Sequence, residues 1–171
     1  DDVPFRLDPP RPLTSYKNAV ISLQGLKMPK IAIIYASQSG KTKKMAEAIA
    51  SGAKSVAGVD VVAKPVFQAK ADDVQDADAV ILGGSTYNSK LIRTMDPFLA
   101  QLEKLDLKGK VGVAFGSYGW SGEGVPILID RMKSFGMSVI EPGTTAVQLP
   151  SKEDLERCTE LGKTVANGLL N

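Results

Sequence analysis

No histidine occurs anywhere in this 171-residue chain. Its absence removes the commonest metal ligand, the Ser-His-Asp and Cys-His nucleophile pairs, and the usual general base near neutral pH. Cysteine is almost as scarce. The one residue, Cys158, has no partner for an internal disulfide, so a reducing, intracellular compartment is the expectation. No apolar run approaches the ~20 residues a membrane-spanning helix needs, and no signal-peptide pattern is present. The start, Asp1-Asp2-Val3-Pro4, is polar and lacks an initiator Met, which points to a processed chain or a piece of a longer one. Charge of one sign is lacking too. The net charge is +2 and the Lys and Arg residues are scattered, so neither a membrane surface nor nucleic acid is an expected partner. What remains, 43% hydrophobic and 23% charged residues, is the balance of an ordinary globular protein with one domain and a real core.

Residues 1–29 differ from the rest. Pro4, Pro9, Pro10, Pro12 and Pro29 break up any regular element. The segment reads as a proline-rich arm or linker, extended over 1–16, with Asn18–Leu23 forming either one short strand or ordered coil. A domain over 30–171 follows. From Lys30 strand and helix patterns alternate: strand at Ile31–Ala36, helix at Lys41–Ser55, strand at Val59–Val66 with Pro65 marking an edge, and a short helix at Asp72–Gln75. They continue with a strand at Ala79–Gly84, a helix at Arg93–Leu105 whose N-cap is Asp96 if it starts there, and a strand at Val111–Gly116. The last elements are a helix at Val125–Phe135 closed by Gly136, an interrupted strand at Val139–Leu149, and a helix from the Ser151/Asp154 capping pair to about Leu169. The last helix places Leu155, Cys158, Gly162, Val165 and Leu169 on one face, which makes Cys158 a core residue rather than a redox thiol. Alternation of this kind predicts an α/β three-layer sandwich: a five-stranded parallel sheet with helices on both faces, in the flavodoxin-like order 2-1-3-4-5.

In that order ligands bind beyond the C-terminal strand ends, at the switch between strands 1 and 3. Three turns meet there. Ser37-Gln38-Ser39-Gly40-Lys41-Thr42 opens a helix, whose first N–H groups and dipole favour a phosphate; the hydroxyls and Lys41 add donors and charge. Gly83-Gly84-Ser85-Thr86-Tyr87-Asn88-Ser89 follows strand 3, and Gly116-Ser117-Tyr118-Gly119-Trp120-Ser121-Gly122 follows strand 4. Singly, the last two read as turns. Together with the first they describe a site for a flat, amphiphilic, phosphorylated ligand. Its phosphate would sit at the first loop and its ring between the other two, each stacking contact adding about 0.5–1.5 kcal/mol beyond area burial. FMN meets that description.

Two neighbouring patterns fail. Ser39-Gly40-Lys41-Thr42 resembles the end of a Walker A loop, but that loop needs a glycine where the chain has Tyr35. A receiver domain needs acidic residues at the end of strand 1, where Ala36 and Ser37 stand.

The stretch from Lys30 to about Leu169 resembles the flavodoxin domain of flavodiiron (A-type) flavoproteins. Ala114-Phe115-Gly116-Ser117-Tyr118-Gly119-Trp120-Ser121-Gly122 is close to that family's signature after strand 4, and Thr42-Lys43-Lys44-Met45-Ala46 is similar to its phosphate-loop helix. Gly83–Asn88 is similar to its second flavin loop except that Ser85 replaces the usual Pro, and Lys41 stands where such domains often have Asn. Glu141-Pro142-Gly143 and Glu153–Cys158 also match. The resemblance implies FMN, with its phosphate held by Ser37, Ser39, Gly40, Lys41 and Thr42, and Gln38 in the same loop. The ring would be flanked by Thr86, Tyr87 and Asn88 on one side and by Ser117, Tyr118, Gly119, Trp120, Ser121 and Gly122 on the other. It also implies a role in electron transfer from an NAD(P)H-linked flavin reductase or a rubredoxin-like donor. The acceptor in that family is a diiron site on a metallo-β-lactamase-like domain, which reduces O₂ or NO. This chain has neither the histidines nor the room for that domain, so it would be the flavin module alone. The implied parent is a homo-oligomer, cytoplasmic, or in the chloroplast stroma if a plant or algal member with a further flavin reductase domain.

Three other readings stand beside it. An NAD(P)H:quinone oxidoreductase of the same fold would oxidise NAD(P)H unaided. A freestanding flavodoxin shuttle would be expected to be strongly acidic. A cofactor-less interaction module would be colourless and would ignore FMN.

Overall fold

Ile31, Ile33 and Tyr35 join one hydrophobic cluster and Ala32, Ile34 and Ala36 another, and all six are buried. A strand apolar on both faces belongs inside a parallel sheet covered on both sides. The protein is described by a computed structural model covering residues 28–171; the expected arm over 1–16 and the strand over Asn18–Leu23 lie outside these residues. In it β1 (Lys30–Ala36) lies between β2 (Asp60–Pro65) and β3 (Ala79–Gly84), parallel to both, with Ile31 opposite Val61 on one side and Ala79 on the other. A two-stranded antiparallel hairpin follows, β4 (Thr86–Tyr87) and β5 (Lys90–Leu91). The sheet then continues through β6 (Val111–Tyr118) to β7 (Ser138–Val147), both parallel to their neighbours. Its order is β2-β1-β3-β6-β7; among sheet strands alone this is the expected 2-1-3-4-5.

On one face α1 (Lys41–Lys54) and α5 (Lys152–Leu170) cover Ile31, Ile33, Ile81 and Phe115. On the other, α2 (Ala71–Gln75), α3 (Asp96–Leu102) and α4 (Gly124–Ser134) cover Ala32, Ile34, Leu82 and Ala114. Each large side chain fully removed from water contributes roughly 1.5–3 kcal/mol. The α1–α5 contact is made backbone to backbone: a Cβ on Gly52 would collide with the Thr159 carbonyl, and one on Gly162 with the Ile49 carbonyl. Cys158 and Val165 lie buried on that α5 face, as the helical spacing predicted.

Several boundaries depart from expectation. α3 starts at Asp96 itself, with Met95 as N-cap after a 3-10 turn over Arg93–Met95. Asp96 therefore serves in the first turn, where its charge still faces the helix dipole, and Pro97 follows at a position that needs no intrahelical N–H. The helix ends at Leu102, short of Leu105. β6 runs two residues further than predicted, so Ser117 and Tyr118 belong to a strand, paired with Ala146 and Val147. β7 is continuous through Pro142-Gly143; the irregularity appears as a register shift between Val113 and Phe115. Gly136 takes the C′ position of α4 with φ +82°. Ser151 and Asp154 form the reciprocal cap of α5, with bonds of 3.1 and 2.9 Å.

Candidate functional site

β1, β3, β6 and β7 all deliver their C-terminal ends to one rim, and the site is built there. At the end of β1 the chain turns through Ser37–Gly40 into α1. Gly40 is the N-cap with φ +83°, a conformation that glycine adopts without Cβ strain. It offers no side chain to cap the helix. Ser37 Oγ turns inward instead and accepts from the N–H groups of Gly40 (3.1 Å) and Lys43 (3.3 Å). Acidic residues are absent from the first turn of α1, which carries Lys41, Lys43 and Lys44. That is the reverse of what a helix dipole favours. An anion resting on this end would resolve the conflict.

Thr42 lies beneath the rim rather than on it. It is fully buried, its hydroxyl 2.9 Å from the equally sequestered Ser117 hydroxyl, and it also accepts from the Ser117 N–H at 3.4 Å. The pair ties the start of α1 to the end of β6. Lys41 Nζ reaches across the rim to Gln148 Oε1 at 2.9 Å, just beyond the end of β7.

The second loop is the β4–β5 hairpin. Asn88 and Ser89 form its tip with φ +48° and +58°, the pair of positive values a two-residue type I′ turn requires. The Thr86 hydroxyl accepts from the Gly124 N–H at 3.0 Å, anchoring the hairpin to α4. Tyr87 is left largely exposed, and Trp120, beyond the end of β6, is 98% exposed. The hairpin tip also approaches the third loop, with 3.5 Å between the Ser89 and Ser121 hydroxyls. Next to them Glu123 is held below the usual carboxylate range by the Ser121 hydroxyl, its own backbone N–H and Ser89.

These segments enclose a cleft of about 340 Å³, within the range of small-molecule sites. Of the residues singled out from sequence, Gln38, Ser39, Lys41, Thr86, Tyr87, Asn88, Ser117, Tyr118, Gly119 and Trp120 line it. Ser37 lines an adjoining cleft of about 750 Å³ that shares Gln38, Tyr87 and Asn88. Gly40, Thr42, Ser121 and Gly122 shape the surrounding backbone without lining the cleft; Gly122 packs against the Tyr118 ring. Ser85, in the second loop but not assigned to the ring, also lines the cleft, and Gln148 was missed. Gln148 follows the last sheet strand, which ends at Val147; the expected strand over Val139–Leu149 placed Gln148 inside it and so hid it from a search of strand ends. The site thus has one end suited to an anion and another presenting an indole and a phenol, which fits a flat ligand with an anionic tail.

The flavodoxin family profile matches residues 33–162, about three-quarters of the chain. The chain belongs to the flavodoxin family. It is 36% identical over 167 residues to a nitric oxide reductase of Moorella thermoacetica, an alignment covering 95% of this chain and 41% of that protein. It is 31% identical over 145 residues to the flavo-diiron protein FprA2 of Clostridium acetobutylicum, covering 81% of this chain and 36% of the relative. It thus spans less than half the length of both relatives. The structure of a flavodoxin from the domain Archaea superposes with a TM-score of 0.79 at 37% identity, covering 83% of this chain and 99% of that one. The flavodoxin-like fold and the relationship to flavodiiron proteins and flavodoxins are therefore established. Among the described residues no helix is long and apolar enough to cross a membrane.

Proposed function

We propose that this chain is the FMN-binding electron-transfer domain of a larger flavodiiron protein. The observation that carries the reading is a cleft in which a helix N-terminus that carries lysines and no acidic residue faces an exposed Trp120 and Tyr87. Ser39, Lys41 and the N–H groups of Lys41 and Thr42 would hold the phosphate. Ser37 would shape that turn, with the buried Thr42–Ser117 pair bracing it from below. Thr86, Tyr87 and Asn88 would flank one side of the ring, and Tyr118, Gly119 and Trp120 the other. The bound flavin supplies the redox chemistry, accepting and releasing one or two electrons. The protein's part is to bind it, orient it and keep water from its faces.

The flavodiiron parent is favoured over a freestanding flavodoxin by one feature. The alignment with the Moorella nitric oxide reductase covers more of the chain than residues 30–171 can supply, so it reaches into the proline-rich segment before β1. In such a parent the diiron site would lie on a metallo-β-lactamase-like domain outside this histidine-free chain. A flavin reductase or a rubredoxin-like protein would deliver the electrons, and the parent would be a homo-oligomer in the cytoplasm or chloroplast stroma.

The test uses the FMN-loaded chain. It is expected to leave NAD(P)H unoxidised in the presence of quinone, and to become reduced once a flavin reductase, or rubredoxin with its own reductase, is added. Steady NAD(P)H–quinone turnover by the chain alone would instead make it a quinone oxidoreductase.

A further inference from the structure

We propose that a groove beside the turn between β2 and α2 is the docking site for a proline-rich segment of this same chain, Pro9-Pro10-Arg11-Pro12. The inference does not depend on the FMN reading. Phe67, in that turn, is 82% exposed; among the described residues only Trp120 shows more of a large apolar side chain. The backbone imposes this exposure. The Val66 N–H donates to the Tyr35 carbonyl at 2.7 Å, the Gln68 N–H to the Pro65 carbonyl at 2.9 Å, and the Ala69 N–H to the Val66 carbonyl at 3.3 Å. A turn fixed in this way holds the phenyl ring out in water. The ring borders a groove of about 510 Å³ whose walls include Tyr35, Pro65, Pro97 and Phe98. Thr94 and Gln101, both exposed, also line it.

Aromatic and proline surface with a few side-chain donors is what a polyproline II segment docks on. Such a segment makes no internal hydrogen bonds, so its carbonyls stay free for donors such as Thr94 and Gln101. With about three residues per turn, it brings every third residue to one face. Pro9 and Pro12 have that spacing. Proline already holds φ near the polyproline II value, so less freedom is lost on docking. The chain also has the reach. Residues 13–29 lie between Pro12 and β1 and span up to roughly 55 Å when extended. The groove lies at the C-terminal ends of β1 and β2, and β1 is roughly 23 Å long at about 3.3 Å per residue. A segment tethered by a short linker binds at an effective concentration on the order of millimolar, so weak contacts suffice. The groove shares Ser37 and Thr94 with the larger cleft beside the proposed FMN site. The docked segment would therefore rest against the turn that opens α1.

The test uses the full chain carrying Phe67→p-benzoylphenylalanine, a photoreactive side chain that keeps an aromatic ring at that place. Irradiation in dilute solution, followed by digestion and mass spectrometry, is expected to join position 67 to residues within 6–13 of the same chain. Adding Pro9→Ser/Pro12→Ser is expected to abolish that crosslink. In a second measurement, trypsin is expected to cut the Arg6–Leu7 bond severalfold faster in Phe67→Ser than in the unmodified chain, at an unchanged melting temperature. No crosslink to residues 6–13, or one that survives the double proline substitution, overturns the proposal. So does a crosslinked product found only at the mass of two chains, which would give the groove to a second copy. Equal rates of cleavage after Arg6 overturn it as well.

Discussion

Trp120 presents nearly its whole indole to solvent at the mouth of the cleft. In the proposed FMN site that surface would be covered by the ring stacked on it. Replacing Trp120 with Ala is expected to weaken FMN binding by up to about tenfold, the equivalent of a stacking contact of about 0.5–1.5 kcal/mol, with Trp120→Phe retaining part of the affinity. Fluorescence titration reads this directly; an unchanged dissociation constant would remove Trp120 from the ring site. Cys158 is the opposite case. Burial pushes its thiol up to about 11, with Asp154 adding to the rise and Arg157 opposing it. The thiol is expected to resist a disulfide reagent at pH 8 in the folded chain and to react at once when the chain is unfolded in denaturant; prompt labelling of the native protein would contradict its burial. Cys158 was legible from its place in a helical apolar stripe. Gln148 was not: the expected strand ran through it, and its bond to Lys41 joins residues 107 positions apart.

At the scale of elements, α5 stands on a cap the sequence displayed openly. Ser151 and Asp154 exchange bonds with each other's backbone, so Ser151→Ala is expected to cost about 1 kcal/mol, read as a lowered denaturant midpoint with an unchanged slope. The backbone N–H of Ser151 is the main cause that holds Asp154 below its ordinary carboxylate range. Asp73 is lowered too: burial pushes it up, but the Lys70 N–H and the Lys64 ammonium at 3.0 Å outweigh that. A carboxylate whose folded value is depressed stabilises the fold above its unfolded value, near pH 4, and that contribution is lost as pH falls through the folded value. Stability should therefore drop more steeply below pH 4 in the unmodified chain than in Asp73→Asn/Asp154→Asn, and parallel pH profiles would contradict the assignment. The strands were readable because apolar runs bounded by glycine and polar turns leave few alternatives. The β4–β5 hairpin was not, since Tyr87-Asn88-Ser89-Lys90 carries no glycine and its two positive φ values fall on Asn88 and Ser89. The ends of β6 and α3 were misplaced for a related reason. Ser117 and Tyr118 look like loop residues, and only pairing with β7 makes them strand.

For the whole molecule, the parallel sheet brings the ends of β1, β3, β6 and β7 to one rim, and that placement made the site foreseeable from alternation alone. The sequence located the three loops; the structure adds that the turn after β1, proposed for the phosphate, is joined to the end of β6 through Thr42–Ser117 and to the end of β7 through Lys41–Gln148. FMN spanning both regions should therefore stabilise the fold as a unit, by about 2.7 kcal/mol at a hundredfold excess over its dissociation constant. The most direct test of the central claim is titration of the flavin-free chain with FMN, followed by fluorescence quenching and thermal unfolding together. Saturation at one FMN per chain, with a rise in melting temperature that riboflavin reproduces only in part, is the predicted result. No saturable uptake, or equal effects from the two flavins, would contradict a ligand anchored by its phosphate at the start of α1.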